Sequence, residues 1–125
     1  GVEYSTEPTK TQTELAHALI DVGADIIIGH HPHVVQTVEK YNDGLIVYSL
    51  GNFIADQEGE LTKSGMAVGV FFGEGEKKLF LFPFEQINGV PTHVTQVYAG
   101  GICTDLVEFI GMDSVHPCVL TAGNR

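Results

Sequence analysis

The stretch Gly23-Ala24-Asp25-Ile26-Ile27-Ile28-Gly29-His30-His31-Pro32-His33-Val34-Val35-Gln36 decides how this chain reads. Three isoleucines between glycines form a β-branched block too short for a helix, so Ile26–Ile28 reads as a buried strand. Three imidazoles follow within four residues at its carboxyl end, where open α/β sheets place their ligands. Pro32 fixes its own φ, removes a backbone donor and is expected to push His31 toward an extended conformation, so the rings are displayed by a stiff loop. Metal ligands need such stiffness. The competing reading is a packed loop in which each ring simply finds a partner. His31 and His33, two residues apart, can serve one ion or the two ions of a bridged pair. A two-metal centre also needs carboxylates, yet Asp25 precedes the strand and Asp21 closes a helix, and neither has an evident route to the loop.

Upstream, Val2 and Tyr4 alternate as the end of a strand would. Pro8 suits a first helical turn, and Thr9 or Thr11 can cap it. From Thr11 to Val22 the positions Leu15, Ala16, Ala18, Leu19 and Val22 follow helical spacing and predict the buried face. Gln12, Glu14, His17 and Asp21 lie on the polar side, where His17 reads as a solvated residue. Gly23 ends the helix, giving an αβ unit.

Downstream, Asn42-Asp43-Gly44 predicts a hairpin turn between a loosely alternating run, Val34 to Tyr41, and Leu45 to Leu50. Asn52, after Gly51, is a candidate substrate-binding residue that can donate to a phosphate or offer its carbonyl oxygen to a metal; ordinary turn chemistry is the other reading. Asp56 to Lys63 has no period and reads as a mobile surface loop. Met66 to Phe72 and Leu79 to Ile87 predict antiparallel strands, with Phe80, Phe82 and Phe84 as a core stripe. Asn88-Gly89 predicts another turn into the alternation Thr92 to Tyr98, with His93 a cross-strand residue. Residues 102–125 read as an irregular tail, with a short helix near Thr104 to Phe109. The organisation is thus one partial domain: an αβ unit with the histidine loop and hairpin over 1–57, an antiparallel region over 58–101 and the tail.

Composition narrows the function. A chain of 125 residues, 43% hydrophobic, can bury one modest core. A formal charge of −10 argues against nucleic acid or an anionic membrane as a partner and repels polyanions unless metal ions supply local positive charge. No run approaches the roughly 18 apolar residues of a membrane span, and no targeting segment is visible within the chain. Cys103 and Cys118 permit a disulfide without demanding one.

Taken together, Glu3-Tyr4, Pro8, Gln12, Leu15-Ala16, Leu19-Ile20-Asp21, Gly23-Ala24-Asp25, Gly29-His30-His31-Pro32-His33-Val34, Gln36, Glu39 and Tyr48-Ser49-Leu50-Gly51-Asn52-Phe53 resemble the carboxyl-terminal half of the CapA/PgsA family. These are poly-γ-glutamate capsule biosynthesis proteins related to calcineurin-like metallophosphoesterases. The likeness covers residues 3–57 closely and the later strands only by pattern. It implies a carboxyl-terminal portion of a four-layer α/β/β/α sandwich with a dinuclear metal site at the loop edge of its two sheets. It also implies divalent ions, whether manganese, zinc or iron, with His31 and His33 as ligands by the His-x-His pattern and His30 a third candidate. In the family the acidic ligands and a His-Trp-Gly precede Glu3-Tyr4, so Gly1 matches the last residue of that motif and the fragment is expected to be inert alone. The resemblance further implies an extracytoplasmic, membrane-associated full-length protein, other capsule synthesis proteins as partners, and an anionic polymer or phosphoester as substrate. A scaffold without catalysis, serving a membrane-bound polymer synthase, is the alternative. A ligand-binding β module grooved by Phe80 to Phe84 is a third reading, which fails if those rings are buried. Half a sandwich leaves an apolar sheet face uncovered, so self-association is expected.

Overall fold

The computed structural model describes residues 1–93 and 118–123. Among these residues a helix, α1 (Lys10–Asp21), precedes strands β1 (Ile26–Ile28), β2 (Val38–Tyr41), β3 (Gly44–Val47), β4 (Ser64–Gly73), β5 (Glu76–Ile87), β6 (Val90–His93) and β7 (Cys118–Gly123), with a 3-10 turn at Leu61–Lys63. Thr9 is the cap: its hydroxyl accepts from the Gln12 amide while the Gln12 side chain accepts from the Thr9 amide.

The first sheet has the order β1-β3-β2, with β1 parallel and β2 antiparallel to β3. Asn42 and Asp43 form the two-residue turn between β2 and β3, and Asn42 takes positive φ as its short side chain tolerates. In the second sheet the long strand β5 pairs with β4 along one edge and with β6 and β7 along the other. Asn88 and Gly89 both have positive φ, as a type I′ turn between β5 and β6 demands.

Three layers result. Ile20 and Ala16 of α1 pack on Ile46 and Tyr48, covering one face of the first sheet. On its other face Val38, Leu45 and Val47 meet Met66, Leu79, Leu81 and Ala122 of the second sheet. The observed fold is therefore mixed α/β, mostly strands, layered helix, sheet, sheet.

Several expectations change here. The buried face of α1 is Ala16 and Ile20, while Leu15, Leu19 and Val22 are exposed. Ile20 fits the notch left by Gly44, where an added Cβ would meet the Ile20 side chain at 2.4 Å, and that fit rotates the helix away from its leucines. The core side of β5 carries Leu79 and Leu81; the phenylalanines lie on the opposite face, Phe84 buried, Phe80 half-buried and Phe82 exposed. Both faces of β5 are apolar, so alternation alone does not orient it. Phe84 is covered by Phe53, edge to face at 5.1 Å. No strand forms at Val2 to Tyr4, because Tyr4 takes φ 62°. The segment 56–63 is anchored: Thr62 is buried and its hydroxyl donates to the Gly59 carbonyl at 2.8 Å. Cys118–Gly123, read as part of an irregular tail, forms β7. The alternation past His93, the helix near Thr104 to Phe109, Cys103 and the Cys118 side chain lie outside the described residues.

Candidate metal-ligand loop

The geometry of the loop begins at Gly29. β1 runs so close to β3 that a Cβ on Gly29 would sit 2.3 Å from the Tyr48 carbonyl oxygen, while the Gly29 amide donates to Val47 at 2.7 Å. Immediately after this seam the backbone departs from ordinary conformations. His31 has φ 103° and His33 φ 63°, on either side of a buried Pro32. The extended conformation expected of His31 before proline is absent. Positive φ at two non-glycine residues in a three-residue span costs free energy and persists only where surrounding contacts hold it.

Those contacts come from three directions. The Tyr4 amide donates to the Pro32 carbonyl at 2.8 Å, and the Tyr4 ring stacks on His33 with centroids 6.1 Å apart. Gln36, 2% exposed, donates through its amide to the carbonyls of Ser5 at 2.9 Å and Glu7 at 3.1 Å, which ties the amino-terminal segment beside the loop. From the hairpin side, Asn52 Oδ1 lies 2.9 Å from His33 Nδ1. Asn52 Nδ2 in turn donates to Gln57 Oε1 at 2.8 Å and to the Thr62 carbonyl at 3.4 Å. The Thr62 carbonyl can only accept, so the amide nitrogen of Asn52 faces it and the oxygen faces His33.

His30 and His31 are exposed and His33 is half-buried. The rings of His31 and His33 lie 6.4 Å apart at 50°. Two imidazoles on one tetrahedral ion, with bonds near 2.1 Å, have centres roughly 5 Å apart, so this pair is about an ångström wider than a shared ion needs. Among the described residues no group of three His, Cys, Asp or Glu side chains converges as a complete coordination set. The imidazoles fit as nitrogen donors to a divalent ion, and the carboxylates near β1 are engaged elsewhere. Asp25 pairs with Lys77 at 2.5 Å, and Asp21 accepts from Asn42 at 3.0 Å and Tyr41 at 3.4 Å.

His17 is not a solvated residue. Its Nε2 lies 2.9 Å from Glu39, its ring stacks on Tyr41 at 3.7 Å, and Tyr48 donates to the other Glu39 oxygen at 2.6 Å. Burial, reinforced by the Glu39 hydrogen bond and charge, pushes the Tyr48 hydroxyl far above its ordinary value, so it stays a donor. A separate cavity of about 370 Å³ is lined by Glu7, Glu60 and Glu85 and contains none of the three histidines. Sequence reasoning missed Tyr4, Gln57 and Thr62 as loop braces. Gln57 and Thr62 carry no local signal, because their role exists only once the segment 56–63 folds back on Asn52.

The class of protein follows from this arrangement: a layered α/β domain presenting imidazoles at the carboxyl end of β1, an edge strand that is only partly buried rather than the buried strand expected, since Ile28 is 40% exposed. Residues 1–57 match the family described as "Bacterial capsule synthesis protein PGA_cap". The chain is 44% identical over 96 residues, 76% of its length, to the "Capsule biosynthesis protein CapA" of Bacillus anthracis, covering 23% of that protein. It is 50% identical over 68 residues, 54% of its length, to the "PGA biosynthesis protein CapA" of Bacillus subtilis, covering 18% of it. A "Probable polyglutamine synthesis accessory protein" of Mycobacterium tuberculosis is 38% identical over 56 residues, 45% of this chain and 14% of that one. This chain belongs to the CapA-type capsule synthesis family, and spans less than a quarter of the length of the curated relatives it matches. Among the described residues no helix is long and apolar enough to cross a membrane.

Proposed function

We propose that this chain supplies the histidine side of a divalent-metal centre in a poly-γ-glutamate capsule synthesis protein of metallophosphoesterase kind. The observation that carries the reading is the loop itself: two imidazoles held at positive φ around Pro32, in a chain whose relatives bear capsule synthesis names. His31 and His33 would hold the ion, with His30 a third candidate, and manganese, zinc and iron all accept imidazole nitrogen. When bound, such an ion supplies a Lewis acid and a water of lowered pKa for attack on a phosphoester. The chain's own residues orient the rings. With a formal charge of −10, the protein draws an anionic polymer or phosphoester here only through the charge of the ion. The helix, sheet, sheet layering supports a four-layer α/β/β/α sandwich in the longer protein. Other capsule synthesis proteins at the outer side of the membrane are its proposed partners.

One observation favours a scaffold without catalysis: no carboxylate joins the imidazoles among the described residues. Calorimetric titration with manganese or zinc, alongside a phosphomonoester assay, separates the two readings. Metal binding that weakens about tenfold or more in His31→Ala and in His33→Ala, without turnover by the chain alone, is the expected result. No metal binding at all leaves the scaffold. Turnover abolished by His31→Ala would show that the chain is not inert.

A further inference from the structure

We infer that Gln57 and Asn52 form a two-step amide relay that fixes His33 as its Nδ1–H tautomer and presents Nε2 to a divalent cation. The inference deepens the metal reading above and rests on it for the identity of the ligand, but its structural half stands on geometry alone. An imidazole in water favours the proton on Nε2, which would turn a donor toward an approaching cation. A hydrogen bond from Nδ1–H reverses that preference.

The relay has a fixed direction. Asn52 carries two amide hydrogens, directed at Gln57 Oε1 at 2.8 Å and at the Thr62 carbonyl at 3.4 Å. Its oxygen is thereby turned to His33 Nδ1 at 2.9 Å. Rotating the Asn52 amide by half a turn would set its oxygen against the Thr62 carbonyl, which can only accept, so that carbonyl favours the orientation in which Oδ1 faces His33. Thr62 is 5% exposed and its hydroxyl closes the segment 57–62 on itself, with the Gly59 carbonyl at 2.8 Å and the Gln57 carbonyl at 3.3 Å. Gly51 lets the chain reach this position: it takes φ 70°, and a Cβ there would meet the Ser64 carbonyl oxygen at 2.7 Å. Neither Asn52 nor Gln57 touches the ion in this account. Both are positioning residues, acting through His33.

Nitrogen-15 spectra of the histidine-labelled chain, at a pH where the rings are neutral, read the tautomer directly. The expected spectrum shows His33 predominantly protonated on Nδ1. Asn52→Ala should shift it to Nε2–H. Asn52→Asp, which keeps an acceptor, should restore Nδ1–H, and Gln57→Ala should give a mixture that Gln57→Glu corrects. Zinc added alone to the wild-type chain should then perturb His33 at Nε2, with 10- to 100-fold weaker binding in Asn52→Ala. Amide spectra of each variant establish that it is folded. An Nε2–H tautomer in the wild type, or no change in folded Asn52→Ala, overturns the relay whether or not zinc binds. A correct tautomer with no effect of zinc on His33 overturns the ligand half and, with it, the metal reading, while the relay survives as structure.

Discussion

The two ends of strand β1 are held by opposite means. At its amino end Asp25, whose side chain is 48% exposed, meets the fully buried side chain of Lys77 on β5, so an ion pair joins the two sheets. At its carboxyl end His33 is held by amide and aromatic neighbours, Asn52 and Tyr4, with the Tyr4 amide on Pro32, and among the described residues no opposite charge pairs with it. A carboxylate spent on a buried ammonium cannot serve a cation elsewhere. A ring held only by a neutral amide keeps its lone pair for an incoming one. The acidic residue nearest the histidines in sequence thus serves the joining of the sheets.

The sharpest way to break this contrast is at the amino end. Asp25→Ala leaves the Lys77 ammonium buried without its partner and, with the Asp25 side chain 48% exposed, is expected to cost about 2–3 kcal/mol, read as a lowered urea midpoint. Lys77→Met in the Asp25→Ala background should recover most of that loss, since an apolar chain of similar length suits the site. If Asp25→Ala unfolds no more easily than the wild type, the ion pair does not join the sheets.

A smaller effect probes the helix side of the first sheet. Tyr48→Phe removes the donor to Glu39 and is expected to cost about 1–2 kcal/mol near neutral pH. The folded state raises the Tyr48 hydroxyl above the unfolded value of about 10, so folding favours its protonated form. The associated stability is complete below about pH 10 and is lost as pH rises beyond it. Unfolding curves at pH 9 and pH 11 should therefore differ less in Tyr48→Phe than in the wild type.

The smallest expected effect on stability falls on the outer face of the second sheet. Phe71 and Phe82 are 47% and 36% exposed there, beside the small residues Ala67 and Gly69. Concentration-dependent association in sedimentation, suppressed by Phe82→Lys with a stability change within about 0.5 kcal/mol, would identify this face as the sticky one. A monomer at all concentrations would dismiss it.

Much of this was legible in the chain. Thr9, one of the two candidate caps, marked the start of α1, with Pro8 just before it rather than in its first turn; Asn42-Asp43-Gly44 and Asn88-Gly89 marked their turns, and the isoleucine block marked β1, because each signal is local. The buried side of α1 was not legible, because Leu15 and Ile20 are equally apolar and only the Gly44 notch chooses between them. His17 looked solvated for a similar reason: Glu39 and Tyr41 arrive from another strand. At the candidate site the histidines stand out in the sequence, whereas the partners that Asp21 and Asp25 meet, Asn42, Tyr41 and Lys77, come from the β2–β3 hairpin and from β5. What sequence concealed was the bracing, since Gln57 and Thr62 reach Asn52 only through a tertiary fold of a stretch without period.

Strand β5 sets the order in which such a molecule comes together. It meets β4 across a two-residue turn and β6 across another, both closed at small entropic cost. Its pairing with β7 brings Glu76 to Leu81 against Cys118 to Gly123, a return over some forty positions along the chain. Contacts so distant form late, after the nearby ladders have set the template. Leu79 and Leu81 thus spend the early moments of folding with one flank unsatisfied, and the last strand to arrive is the one that seals them.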